Sequence, residues 1–187
     1  KAEARLGAAH TAEEFARVAA DFKGTAVGMQ AELAAAQKLF DDGKYAEAGE
    51  CFARAAAAED DLLSLRGLAG QAHVAEALAT AGDAPDKALL DQAMQQYAKA
   101  GAKASTLGLP GTQIDAILGQ SRCARLQGDS AKARELAETA RKLVDAPGHE
   151  ALARTLLPWT EGALRSLDAC ELATLAPPKP EEPKAEE

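Results

Sequence analysis

The side chains in this sequence that could support chemistry are few and widely spaced. His73 and Glu76 lie three positions apart, so a helix would place both on one face, where they could offer two ligands to a metal ion. No second histidine stands near them, and no HExxH motif occurs. A lone histidine beside one carboxylate is more typical of a helix surface or groove, so we expect neither a metal site nor a cofactor.

The remaining reactive side chains form no catalytic set. Cys51, Cys123 and Cys170 are far apart and include no CxxC pair, which favours small buried residues over a disulfide framework or a nucleophile. The acidic cluster at residues 59–61 lacks the regular spacing of oxygen ligands that a calcium loop needs. Because the sequence also lacks a phosphate-binding loop, a Rossmann fingerprint and a Gly-x-Ser-x-Gly elbow, we predict that the protein is not an enzyme.

The composition favours helices throughout. Hydrophobic residues make up 47% of the 187 residues but aromatic residues only 4%, because alanine supplies the excess. Alanine is the strongest helix former, and no segment alternates apolar and polar residues as a strand would. The sequence therefore predicts an all-α fold. Its net charge of -8 disfavours binding to nucleic acid, and no apolar run approaches the roughly 20 residues that span a bilayer.

Three segments repeat a helix–turn–helix pattern. Each has a glycine in the turn and a small residue seven positions earlier: Ala36 and Gly43, Ala75 and Gly82, Ser121 and Gly128. Small residues let two helices cross closely, and a glycine in the left-handed conformation ends the first helix. Phe52 and Tyr97, in the second helices of the first two copies, should fill the space toward the next hairpin. Ala137 takes this place in the third copy.

The residues from Gly43 to Ala55 read Gly-x-Tyr-x-x-Ala-x-x-x-Phe-x-x-Ala, which resembles a tetratricopeptide repeat (TPR). The resemblance extends over roughly residues 11–144, with two degenerate copies. It implies a TPR-like superhelical array of about three hairpins, right-handed, with a C-terminal capping helix. The preceding AADF-x-GT run, which ends at Thr25, is similar to the YfgM-like family of ancillary Sec-translocon subunits. Members of that family carry one N-terminal membrane helix before periplasmic repeats.

The TPR resemblance also implies a binding surface. The first helix of each hairpin in TPR proteins lines a concave groove, and the matching positions here are Gln30, Leu33, Gln37, Phe40, Ala72, Glu76, Ala79, Asp115, Leu118, Arg122 and Arg125. This amphipathic mixture suits a peptide or a partner helix, although core packing explains Leu33, Phe40 and Leu118 equally well. Only the third copy offers two neighbouring cations, so we expect no clamp for acidic chaperone tails.

Three functional hypotheses can be stated from the sequence. We expect a protein–protein interaction scaffold in a bacterial cell-envelope complex, on the periplasmic side of the inner membrane. The first residue is Lys1 rather than methionine, which leaves room for a preceding signal peptide or membrane tether. The alternative is a structural or oligomerisation module in the cytoplasm that associates with itself. An enzyme or metal protein that uses His73 and Glu76 is a third hypothesis.

Several boundaries can also be predicted. Residues 1–175 should form the repeat domain, and the Pro- and Glu-rich residues 176–187 should be disordered. Pro158 should kink or interrupt a last helix that begins near Glu150, with a final helix from about Glu161 capping the array.

Three sets of side chains are expected to cap helix starts. Thr11 and Glu14 form a capping box, and Asp129 should cap the helix that follows Gly128. Thr112, paired with a carboxylate three residues later, is the third candidate.

Overall fold

The computed structural model describes residues 1–175, which form nine α-helices and contain no strand, so the predicted all-α fold is confirmed. The helices are α1 (Ala2–Ala8), α2 (Ala12–Asp21), α3 (Ala26–Asp41), α4 (Tyr45–Ala56), α5 (Asp61–Ala79), α6 (Lys87–Thr106), α7 (Pro110–Leu126), α8 (Ser130–Val144) and α9 (Glu150–Leu175). The tail that was predicted to be disordered, residues 176–187, lies outside the described residues, as does the side chain of Cys170.

The helices pack as an array of adjacent pairs. Each helix contacts the next one along the chain, and α3/α4, α5/α6 and α7/α8 are the three predicted hairpins, with α9 against the last. Odd-numbered helices also contact one another, α1 with α3, α3 with α5, and α7 with α9. These contacts place the odd-numbered helices side by side in one layer and the even-numbered helices in the other.

The turns within the hairpins only partly follow the prediction. Gly43 and Gly128 have φ angles of 74° and 88°, so each supplies the left-handed residue that ends its helix. The same prediction is wrong for Gly82, which does not have a positive φ. The connection there runs for seven residues between α5 and α6. This greater length lets the chain reverse without a left-handed residue, and Asp86 then caps α6.

Two of the three predicted caps are confirmed. The Thr11 hydroxyl accepts from the Glu14 amide while the Glu14 carboxylate accepts from the Thr11 amide, and Asp129 accepts from the Lys132 amide. The cap at Thr112 is wrong, because α7 already begins at Pro110. Proline suits that first position, since the N–H that it lacks would have no partner within the helix.

The hairpins are joined by aromatic rings seated on glycines. The ring of Phe52 in α4 lies against Gly70 in α5, and the ring of Tyr97 in α6 lies against Gly119 in α7. A Cβ atom on either glycine would overlap the ring, so the expectation that these aromatics fill the space toward the next hairpin is confirmed. At the junction after the third hairpin, the large and small residues exchange places. The small, fully buried Ala137 lies on α8, and the large residue in the same cluster, Leu167, lies on the following helix α9.

The last helix differs from its prediction. α9 runs without interruption from Glu150 to Leu175 and includes Pro158, so the predicted pair of helices is a single one. Pro158 is exposed, which lets water satisfy the carbonyl that loses its helical hydrogen bond. The predicted capping role is filled by this one helix, which packs on α8 and α7.

Candidate functional site: a groove along the odd-numbered helices

A recess between α3 and α5 begins a groove on the layer of odd-numbered helices. Its volume is about 600 Å³, within the roughly 300–1,000 Å³ typical of binding pockets. The four residues predicted from the first repeat all line it: Gln30, Leu33, Gln37 and Phe40. Their spacing of three, four and three positions puts them on one face of α3. Leu33 is also buried in the core, so it both lines the recess and packs in the core, the two roles that the sequence left open.

Two further recesses continue the groove across α5, α7 and α9. Their volumes are about 290 and 310 Å³. His73 belongs to both the first and the middle recess, whereas Leu118, Arg122 and Trp159 belong to both the middle and the last. Arg125 lines the last recess. The three recesses therefore adjoin, and together we call them the groove.

A polar network centred on Tyr97 lies where the first and middle recesses meet. The Tyr97 hydroxyl donates to Glu76 Oε2 at 2.6 Å and lies 2.8 Å from His73 Nδ1. Arg122 donates to both Glu76 oxygens at 2.8 Å and to the Tyr97 hydroxyl at 3.2 Å. Its guanidinium also lies 5.9 Å from the centre of the Tyr97 ring. The network thus connects α5, α6 and α7.

The hydrogen bonds of this network fix the state of the His73 ring. The Tyr97 hydroxyl has one proton and gives it to Glu76, so the bond to His73 requires Nδ1 to carry a hydrogen. Burial, together with the charge of Arg122, lowers the pKa of His73. Neutral His73 with its proton on Nδ1 is the form that satisfies both observations, which leaves Nε2 as a hydrogen-bond acceptor.

The charges of the network satisfy one another. Burial raises the pKa of Glu76, but the hydrogen bonds from Arg122 and Tyr97 outweigh burial, so the carboxyl pKa is lowered on balance. Burial and the adjacent Glu76 carboxylate raise the pKa of the Tyr97 phenol, which is therefore a poor base or nucleophile. Glu76 and Arg122, both predicted for the groove, are consequently neutralised by each other.

The described cysteines are not activated for nucleophilic chemistry. Burial raises the pKa of the fully buried Cys123 to about 12. Burial also raises the pKa of the half-buried Cys51, where the nearby Arg54 only partly offsets the effect. Nucleophilic attack by cysteine requires the thiolate, and both groups remain thiols at neutral pH.

Three residues at the groove have roles that were not predicted from the sequence. Two of them are Arg66, which lines the first recess, and Trp159, which lines the middle and last recesses. The third role is that of Tyr97, which was predicted only to pack toward the next hairpin and whose hydroxyl also holds the network. Trp159 is 70% exposed, which is unusual for so large an apolar side chain. Besides the repeat pattern, a sequence signal for the buried Tyr97 ring is Gly119, an interior helix glycine whose missing side chain leaves room for a ring.

Comparisons with known proteins found no matching family model, no matching curated protein and no matching solved structure. Within residues 1–175, no helix is both long and apolar enough to cross a bilayer. The same part of the chain holds no cluster of three or more side chains suited to bind a metal ion.

Proposed function

We propose that this protein is a protein–protein interaction module of TPR-like type that holds a segment of a partner in the groove. The observation that carries the proposal is the exposed Trp159 at the junction of the middle and last recesses. Burial of this exposed side chain by a partner would be favourable, and tryptophan is among the residues that contribute most at interfaces.

The shape and lining of the groove favour an elongated partner. The three recesses follow one another across α3, α5, α7 and α9, and each combines aliphatic or aromatic walls with a few polar groups. A helix or extended peptide can place successive apolar side chains into such a row of recesses. A single small substrate would occupy only one of them.

A binding role also fits the chemistry of the polar network better than catalysis. Tyr97, Glu76 and Arg122 are bound to one another rather than to an open reaction centre. These mutual bonds hold the side chains in place beside the groove, and a surface that is ordered before binding loses less entropy when a partner binds.

We further propose that the module works in a bacterial cell-envelope complex, attached to the periplasmic side of the inner membrane. The AADF-x-GT approach to the first repeat, residues 19–25, supports this placement. Fractionation of cells that produce the protein from its own gene tests it. We expect the protein in the membrane fraction and expect it to be degraded when protease is added to spheroplasts; protection from protease would place it in the cytoplasm.

Site-specific photo-crosslinking in those cells tests the binding role. A photoreactive amino acid at Gln37, in the first recess, and one at Arg125, in the last, should each capture the same partner. The matched control is Glu138, an exposed residue of α8 that lines none of the three recesses.

Each crosslinking result has a clear meaning. A partner captured from both groove positions but not from Glu138 supports the proposal. Equal capture from all three positions contradicts it. Capture of a second copy of this chain would favour the alternative, a self-associating structural module.

A further inference from the structure

Arg66 is a charged groove residue without a partner. It lies on α5 and lines the first recess, and no described residue forms a hydrogen bond or ion pair with it. Arg122 on α7 is by contrast paired with Glu76 through two hydrogen bonds. Among the arginines of the groove, Arg122 is therefore neutralised, whereas Arg66 in the first recess and Arg125 in the last have no described ion pair.

The sequence around Arg66 provides no compensating charge. The residues one helical turn away on either side of it are apolar: Leu62, Leu63, Ala69 and Gly70. Across the recess, α3 presents Gln30, Ala34 and Gln37 rather than carboxylates.

The two carboxylates that α3 contains, Glu32 and Asp41, are already engaged. Glu32 pairs with Arg54 of α4, and Asp41 accepts a hydrogen bond from Gln37. In a chain of net charge -8, this recess thus keeps an unpaired positive charge.

The walls beside Arg66 are mostly apolar. Leu33, Phe40, Phe52 and Ala69 contribute to the lining of this recess, whose volume of about 600 Å³ can admit a large side chain. Apolar walls exclude water and so strengthen an ion pair formed beside them. A guanidinium can also bind a carboxylate through two parallel hydrogen bonds.

We propose that the first recess recognises a partner segment in which a carboxylate stands next to a large apolar side chain. The apolar side chain enters the recess and the carboxylate pairs with Arg66. This inference depends on the binding role proposed for the groove and names the chemistry of the partner. A single guanidinium beside an apolar recess differs from a clamp of several cations, because it needs both the acidic and the apolar group.

Two dye-labelled model peptides of about 16 residues, long enough for four helical turns, provide the test. Both carry the same stripe of Leu and Phe, flanked by Glu in one peptide and by Lys in the other. Binding is followed by fluorescence anisotropy. We expect the Glu peptide to bind roughly 10- to 100-fold more tightly, as a charge-assisted hydrogen-bonded pair predicts.

Charge-reversal variants assign the preference to a residue. Arg66→Glu should reverse the preference, so that the Lys peptide binds more tightly. Arg17→Glu makes the same change of charge at an exposed site on α2 that lines none of the three recesses, and it should leave the preference intact. Because Arg66 is exposed and makes no described contact with a charged group, the variant should fold, which its circular dichroism spectrum checks.

Three results would overturn the inference. In the first, both peptides bind equally, Leu33→Asp abolishes binding and Arg66→Glu leaves it unchanged. This result would support the groove function but contradict the preference for a carboxylate. Reversal by Arg125→Glu instead of Arg66→Glu would assign the carboxylate to the last recess. No binding of either peptide at about 1 mM would overturn the groove function together with the inference.

Discussion

The guanidinium of Arg122 donates two hydrogen bonds to the carboxylate of Glu76, which lies 46 positions earlier in the chain. The Tyr97 hydroxyl bonds to both groups, so one cluster connects α5, α6 and α7. Hairpins in a repeat array touch mainly their neighbours, and this cluster fixes the second hairpin relative to the third. His73, which lies 2.8 Å from the Tyr97 hydroxyl, lines both the first and the middle recess, and Arg122 lines the middle one.

Removal of the Glu76 carboxylate should therefore weaken the fold. Glu76→Ala should lower the free energy of unfolding by about 1–3 kcal/mol, because Tyr97 and Arg122 both lose a charged partner. We place the value toward the lower end, since the Arg122 side chain is 43% exposed and water can replace part of the contact. Urea unfolding measures the change.

A double-mutant cycle that combines Glu76→Ala with Arg122→Ala separates the energy of the ion pair from the other effects of Glu76→Ala. A coupling free energy below about 0.5 kcal/mol would contradict the pairing. Arg125→Ala, one turn later on α7 at a residue with no described ion pair, should change stability by less than about 0.5 kcal/mol.

The stability of the protein should fall as the pH drops below about 6.5 because of His73. The pKa of His73 is lowered in the folded state by burial and by Arg122, against the attraction of Glu76 and Asp115. The unfolded chain therefore binds a proton at a higher pH than the folded chain, so the stabilisation is complete above the ordinary pKa of 6.5 and is lost as the pH falls below it. Melting temperatures measured from about pH 7.5 to pH 5 test this expectation.

His73→Gln should flatten that part of the pH profile, whereas His10→Gln, outside the network, should not. An unchanged slope in His73→Gln would show that His73 does not titrate as we expect. Glu76 affects stability at lower pH than His73 does. Because its pKa is lowered in the folded state, its stabilising contribution is fully present above the ordinary carboxyl pKa of 4.5. That contribution is lost as the pH falls through the folded-state pKa.

The two kinds of turn should respond differently to alanine. Gly128→Ala should cost about 1–2 kcal/mol, because a φ of 88° is strained for any residue with a Cβ atom. Gly82→Ala should be neutral or slightly stabilising, since this residue has no positive φ and a Cβ atom would meet only the Ala84 carbonyl oxygen, 3.8 Å away. Thermal unfolding of the pair compares them, and equal losses would contradict the difference between the turns.

The contact between Phe52 and Gly70 should dominate the junction between the first two hairpins. Phe52→Ala should cost about 3–5 kcal/mol, since the ring is buried and its removal leaves a cavity. Gly70→Ala should also destabilise, here through overlap of the new methyl group with the ring.

The double variant Phe52→Leu with Gly70→Ala tests whether the two positions act together. Its loss in stability should be smaller than the sum of the losses measured for Phe52→Leu alone and Gly70→Ala alone, because the smaller leucine side chain makes room for the methyl group. Strict additivity, or a loss below about 1 kcal/mol in Phe52→Ala, would contradict the contact.

The local features of the fold were predictable because they depend on neighbouring residues. The Thr11–Glu14 capping box and the left-handed glycines Gly43 and Gly128 all follow from short-range rules. The exception at Gly82 arises because a longer connection gives the backbone other ways to turn.

The long-range features were harder to infer. Proline is expected to break a helix, yet α9 tolerates Pro158 at an exposed position. The positions on α3 that line the first recess were predicted from the TPR resemblance, whereas the pairing of Glu76 with Arg122 depends on how separate hairpins meet. The roles of Arg66 and Trp159 also depend on tertiary structure. Arg66 lines a recess without a described charged partner, and Trp159 is an exposed aromatic side chain beside two recesses.

The order of large and small residues is reversed at the third junction. Phe52 and Tyr97 each present a ring that a glycine-bearing helix must receive, so the first two hairpins could in principle be duplicated end to end. Ala137 presents no ring, and α9 supplies Leu167 from the other side instead. A helix like α5 or α7, with a glycine at the contact, would leave an empty space against α8, so α8 is matched to the leucine of α9 and not to another glycine-bearing helix.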